Sequence, residues 1–433
     1  MIERLSLTNL GPAPEMTFAF GERVNLLTGD NGLGKTFVLD LAWWALTRNW
    51  ADGRIIRPSP RLRGAGIEYV VRGKAAATAP VALTYSDEAR NWSPFPQGAP
   101  PAPGLVIYAR IDGGFSVKDP ERNRWRDRDE EGRIITRPEA FHFSKRQVWE
   151  GLRDDEDRVV CRGLVEDWET WRLKSNGAFA MITQVLADLS PGGKEHPLRP
   201  GIPVRLPDDF GDVDIPTIIM PHGEEVPIYH ASAAVRRILS LAYLIVWAWT
   251  EHRIAAEIRG HEPARRIVLL WDEVESHLHP QWQRTILPSV VDVLERLLRE
   301  SDGTQLQVIA TTHAPLLLAS METRWIPARD RLFNLELTED GKQVEVEEVP
   351  WARFGDASGW LTSPAFDMES GYSREAERAM SAADHLIAEY ADELPDNLQD
   401  PESIHQELLR TLDAGDPFWP LWLPFFRSKG GKP

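Results

Sequence analysis

A single cysteine, Cys161, stands in 433 residues. It has no partner within the chain, so an internal disulfide framework is excluded and a reducing, cytoplasmic setting is expected. Basic residues are in deficit: 49 Lys and Arg against 66 Asp and Glu leave a net charge of −17. A chain so charged is not drawn to nucleic acid as a whole, and a DNA contact would need a local basic patch. Arg54, Arg57, Arg61 and Arg63 are candidates for one, with a solvated Arg-rich loop as the alternative. No apolar run reaches the roughly 18 residues of a membrane span. The richest, Ile238 to Trp249, suits a core helix, so no membrane partner is expected. The opening Met1-Ile2-Glu3-Arg4 lacks a basic stretch followed by an apolar one, so no secretory leader is expected. Internal repeats and long heptad runs are also missing, which argues against a coiled-coil arm.

The length suits two to three domains, and the 17 tryptophans suit a bulky core. The most informative segment is Gly29-Asp30-Asn31-Gly32-Leu33-Gly34-Lys35-Thr36, which fits the phosphate-loop pattern G-x-x-x-x-G-K-[ST]. Val24 to Leu27 precede it as a strand would, and Phe37 to Trp44 follow as an apolar helix. Glycines let backbone N–H groups surround phosphates, and the helix N-terminus adds partial positive charge. Asn31, Gly32, Leu33, Gly34, Lys35 and Thr36 are therefore candidate ATP-binding residues. Lys35 would reach the β- and γ-phosphates, and the Thr36 hydroxyl would ligate Mg²⁺.

Such a loop needs an acidic partner at a neighbouring strand end. Ile267 to Trp271 is an apolar run closed by Asp272-Glu273. Asp272 would hold Mg²⁺ through water, and Glu273 would act as general base for the attacking water, with Glu275 next in line. Gln307 to Ala310 is a further buried strand, ending in Thr311-Thr312-His313. His313 would contact the γ-phosphate; alternatively the cluster caps a helix start. The phosphate loop and Asp272 lie 272 − 36 = 236 residues apart, a gap that a lobe inserted into the core would fill.

Together, Gly29 to Thr36, the stretch Asp272-Glu273-Val274-Glu275-Ser276-His277-Leu278-His279-Pro280, and Thr311-Thr312-His313-Ala314-Pro315 resemble Walker A, Walker B with D-loop, and H-loop. The resemblance is to ABC-type ATPases of the SMC, RecF and OLD-like group. More faintly, the middle and tail resemble stand-alone bacterial ATPases encoded beside HNH nucleases, as in the Septu antiphage system. That resemblance implies an α/β fold: a P-loop core of mixed sheet with N-terminal antiparallel strands, an inserted helical lobe and a helical C-terminal tail. The expected boundaries are residues 1–48 and 225–345 for the core, 49–224 for the inserted strands and lobe, and 346–433 for the tail. It implies a homodimer closed around ATP and Mg²⁺, in which Ser232 occupies the signature-serine position and binds the γ-phosphate held by the opposite subunit. The glycines usual after that serine are Ala233 and Ala234 here. Arg236 or Arg237 could compensate as a cation, or be part of a solvated helix turn. No residue is assigned as Q-loop with assurance, although Arg110-Ile111-Asp112 follows a suitable strand.

The tail lacks the Asp-x-Asp pattern of a TOPRIM nuclease, so cutting is expected of a separate HNH-type subunit. The alternative function is a RecF-like DNA-binding repair ATPase. Within the tail, Phe418, Trp419, Leu421, Trp422, Phe425 and Phe426 are punctuated by Pro420 and Pro424. The prolines oppose a regular helix, so these side chains are not expected to share one face. They would pack on the chain's own core or anchor a partner.

Overall fold

Alternation builds the first sheet. In strand Ile2–Thr8, Leu5 and Leu7 are buried while Arg4 and Thr8 face solvent. The same two-residue period buries Met16 and Phe18 in Glu15–Ala19, and Ile67, Tyr69 and Val71 in Gly66–Val71. These three strands join Val81–Ser86 and Asn91–Ser93 in an antiparallel sheet of five. The computed structural model describes residues 1–433 apart from 54, 60–62, 73–78, 95–101, 124–126, 129–133, 136–138, 175–176, 194, 207–213, 300–302, 339, 369, 389–393 and 431–433.

The central sheet has eight strands in the order Phe141–Phe143, Phe115–Lys118, Leu105–Ala109, Arg266–Trp271, Gln305–Thr311, Val24–Gly29, Arg331–Leu337 and Val344–Glu348. The five from Leu105–Ala109 to Arg331–Leu337 run parallel, and antiparallel strands close both ends. The inner strands are nearly continuous apolar runs because both faces are covered. Gln307 ties the two sheets together: its amide accepts from Ile2 N at 3.0 Å and donates to Ile2 O at 2.8 Å and Gly21 O at 2.9 Å. A buried Arg23–Asp330 pair at 2.5 Å fastens the start of Val24–Gly29 to that of Arg331–Leu337.

The mixed α/β core matches expectation, but the boundaries do not. Three strands of the central sheet come from residues 105–143, inside the stretch assigned to the insertion. Phe115–Lys118, in that stretch, is fully buried. The core is thus assembled from three stretches of sequence. Helices Lys145–Glu150, Leu164–Lys174 and Ala178–Asp188 form the lobe with several short strands. Ala233–Ile258 is long and apolar enough to cross a membrane by length and composition, but 72% of its most apolar window is buried within the protein.

The tail boundary also moves. Val344–Glu348 belongs to the central sheet, and the second compact unit comprises Ser358–Ser363 and Asp367–Pro433. Its helices Arg374–Ile387 and Pro401–Thr411 are joined by Trp419–Ser428, contrary to the expectation that prolines would prevent a helix there. Pro420 occupies the first turn, where no intrahelical donor is needed, and the helix continues through Pro424. Trp419, Trp422 and Phe426 therefore share one buried face, packed with Ile404, Leu408 and Ala379 of the same unit. The aromatic cluster is mostly this unit's own core, with Leu421 left 52% exposed.

Candidate active site

Three parallel strands and a loop bring the motifs together. Val24–Gly29 lies beside Gln305–Thr311, which lies beside Arg266–Trp271. Their C-terminal ends therefore gather Gly29, Thr311 and Asp272 at one edge of the sheet. The phosphate loop then turns back on left-handed glycines. Gly29 has φ +119°, and a Cβ there would sit 2.1 Å from Leu335 O of the adjacent strand. Gly34 has φ +98° and caps the Lys35–Thr47 helix; a Cβ there would stand 2.8 Å from Pro12 Cγ. Only glycine satisfies both conditions.

A cleft of about 360 Å³ opens above the loop. Asn31, Gly32, Gly34, Lys35, Thr36, Asp272, Glu273 and His313 all line it, as the sequence reading requires. Leu33 does not; it is buried beneath the loop. Ser232 also lies outside the cleft of its own chain. It is exposed and caps the Ala233–Ile258 helix by accepting from Val235 N at 3.3 Å.

Asp272 is completely buried, and both its oxygens accept hydrogen bonds. Thr36 Oγ1 donates to Oδ2 at 2.8 Å, and Thr311 Oγ1 donates to Oδ1 at 2.7 Å. Thr311 Oγ1 also accepts from Glu273 N at 2.7 Å. Arg237 holds the other side of this turn, donating to Asp272 O at 3.2 Å and Glu273 O at 3.1 Å. Glu273 is thereby kept at φ +44°, a left-handed conformation that a glutamate adopts only under constraint. Glu275 spans Thr312 Oγ1 at 2.8 Å and His313 N at 2.5 Å. It ties the two motifs together, which is a different task from that of a reserve base.

Electrostatics follow from burial. Lys35 donates from Nζ to Gly29 O at 2.8 Å and Asp30 O at 2.7 Å. Burial pulls its pKa below the ordinary lysine value, opposed by Glu273, Asp272, Asp30 and Glu275. Burial, aided by Lys35, also lowers His313, which favours the neutral imidazole. Asp40, one turn along the helix from Thr36, is raised to about 6 by burial and accepts from Tyr108 OH at 3.0 Å.

The hydroxyl of Thr36 and the carboxylate of Asp272 are hard oxygen donors of the kind Mg²⁺ takes. Among the described residues no cluster of three or more His, Cys, Asp or Glu offers another metal site.

The family described as "AAA domain, putative AbiEii toxin, Type IV TA system" matches residues 108–319. The Septu protein PtuA of Bacillus thuringiensis is 31% identical over 93 residues, which is 22% of this chain and 19% of that one. The match thus spans about a fifth of that relative's length. The chain thus resembles that AAA-domain family over residues 108–319 and, locally, Septu PtuA. Among solved structures, the SMC head domain from Thermotoga maritima is 15% identical, with a TM-score of 0.35, over 81% of this chain and 99% of that one. The recombination mediator RecF bound to ATP is 11% identical, with a TM-score of 0.37, over 81% and 97%.

Sequence reasoning missed several residues of the phosphate-loop cleft. Phe37, Asp40 and Ile56 line it, and Thr311 and Arg237 hold its acidic turn. Thr311 was legible only as a strand end. Arg237 offered a signal in being one of two adjacent cations at the start of a helix, but its target could not be read from the sequence. Of the four arginines suggested as a basic patch, Arg57 and Arg63 are exposed, while Arg54 and Arg61 lie outside the described residues.

Proposed function

We propose that this protein is an Mg²⁺-dependent ATPase that closes as a homodimer on ATP and controls a separate HNH-type nuclease subunit in bacterial antiphage defence. A cytoplasmic location accompanies this reading. The observation that carries it is the convergence of Thr36 and Thr311 on the buried carboxylate of Asp272, with Glu273 held beside it in the cleft. In this reading Lys35 binds the β- and γ-phosphates, giving up its bonds to the loop carbonyls. Thr36 and Asp272 hold Mg²⁺, which neutralises phosphate charge when bound. Glu273 accepts the proton of the attacking water, and His313 orients toward the γ-phosphate as a neutral donor. In this reading Ser232, exposed at a helix N-terminus and outside its own cleft, serves the opposite subunit's site.

The local similarity to Septu PtuA supports the defence role. Substituting Glu273→Gln tests the core of the reading. ATP affinity should persist, turnover should fall about a hundredfold or more, and a dimer should accumulate with ATP in light scattering. Near-normal turnover would move the base elsewhere.

The alternative, a RecF-like DNA-binding repair ATPase, draws support from the exposed Arg57 and Arg63. It requires duplex DNA affinity that falls steeply with salt and weakens on Arg57→Ala and Arg63→Ala.

A further inference from the structure

A second cavity, of about 430 Å³, lies between the lobe and the central sheet and is separate from the phosphate-loop cleft. Its volume falls in the range of small-molecule sites. One wall is aromatic: Trp149 and Tyr229 lie with ring centroids 5.4 Å apart. Trp149 is fixed by donating Nε1–H to Ser240 Oγ at 2.9 Å. Leu241, Ile238 and Trp271 add apolar surface.

The charged part of the lining is mostly cationic, in a chain whose net charge is −17. Arg110, Lys145, Arg146, Arg236 and Arg237 face it, against the carboxylates of Asp112 and Glu150. Three of these cations are committed. Arg146 pairs with Glu150 at 2.6 Å, Arg110 with Asp112 at 3.4 Å, and Arg237 donates to the Asp272 and Glu273 carbonyls. Lys145 and Arg236 form no ion pair with any described residue, and Arg236 Nε is buried without a hydrogen-bond partner. Leaving such a donor unsatisfied is unfavourable, and an incoming anion would satisfy it.

An aromatic, apolar wall facing two uncommitted cations suits a ligand with a flat ring at one end and an anionic group at the other. We propose that this cavity is a second ligand site, for a nucleoside monophosphate or its cyclic form, whose base packs against Tyr229 and Trp149 and whose phosphate meets Arg236 and Lys145. The site is coupled to the phosphate-loop cleft through Arg237, which lines the cavity and also braces the turn that carries Glu273. The coupling rests on the proposed role of Glu273; the ligand site does not.

The test uses the full chain carrying Lys35→Ala, which disables the phosphate-loop cleft. Calorimetry with AMP, GMP, CMP, UMP, cyclic AMP and cyclic GMP up to millimolar concentration should reveal saturable binding of at least one of them. Adding Arg236→Glu should weaken it about tenfold or more, the scale of one lost charge-assisted contact, while leaving the melting temperature close to that of the parent. In the otherwise unaltered protein the same nucleotide should change ATP turnover, and Arg236→Glu should remove that response. No saturable binding of any of the six, or binding indifferent to Arg236→Glu, overturns the site. Binding of a 5′-phosphorylated oligonucleotide without binding of any mononucleotide overturns it in favour of a strand end. Binding without any effect on turnover overturns the coupling. The two clefts fail separately: ATP affinity unchanged by Lys35→Ala refutes the phosphate-loop assignment, not this one.

Discussion

Thr36 Oγ1 donates to Asp272 Oδ2 at 2.8 Å across 236 residues of sequence. One hydrogen bond thus joins the end of the phosphate loop to the end of the acidic strand. Thr311 completes the arrangement from the strand between them, donating to the other Asp272 oxygen and accepting from Glu273 N. The carboxylate is oriented from both sides before any ligand arrives, which lowers the reorganisation needed at the site.

Thr311→Val tests this orientation. Valine keeps the shape but leaves Asp272 Oδ1 and Glu273 N–H short of a partner. Stability should fall by about 1–3 kcal/mol in urea unfolding. ATP turnover should fall with it, and Thr311→Ser should restore both. Unchanged turnover would mean that Asp272 needs no second hydroxyl.

Ser232 should act across a dimer. Subunits carrying Lys35→Ala and subunits carrying Ser232→Arg should each be inactive alone. Mixed, they should regain up to about a quarter of the activity, since half of the dimers are heterodimers with one intact composite site of two. Heterodimers that form without regaining turnover would refute a shared site.

Asp167 gives a pH signature away from the cleft. It is buried and accepts from Tyr243 OH at 2.7 Å, and burial raises its pKa to about 6. The folded state therefore holds this proton more tightly than the unfolded state, whose carboxyl titrates at the ordinary value of 3.8. Its favourable contribution is fully present below that value and is lost as pH rises through about 6. Asp167→Asn, which can still accept from Tyr243, should remove this slope and stabilise the protein at neutral pH by about 1–3 kcal/mol. Chemical denaturation at pH 4, 5, 6 and 7 provides the check; an unchanged slope would count against burial of the charge.

In the tail unit, Trp422 is fully buried and donates Nε1–H to His405 Nδ1 at 3.1 Å. Trp422→Ala should cost about 3–5 kcal/mol and open residues beyond Asp367 to limited proteolysis, while Met1–Ala357 resists. A tail that stays resistant would show that its core tolerates the cavity.

Local pattern and composition determined much of this protein. The glycines and Lys35 of the loop, the apolar strand before Asp272 and the polar cluster at His313 were legible because each is a short run whose chemistry is carried by neighbours in sequence. Alternation marked the first strands, and the two-residue and helical periods marked most elements. Only the tertiary structure decided what faces what. Parallel pairing of Gln305–Thr311 with both neighbours places the Thr311 hydroxyl between Asp272 and Glu273, and no spacing rule encodes that. Leu105–Ala109 joined the central sheet by pairing with Arg266–Trp271, more than a hundred residues away, and carried Phe115–Lys118 and Phe141–Phe143 with it. Pro420 and Pro424, read locally, forbade a helix. In the fold Pro420 falls in the first turn, and burial of Trp419, Trp422 and Phe426 on one face offsets the cost of Pro424. Sequence determines which groups are present; packing, by excluding water from both faces of a sheet at once, decides which of them meet.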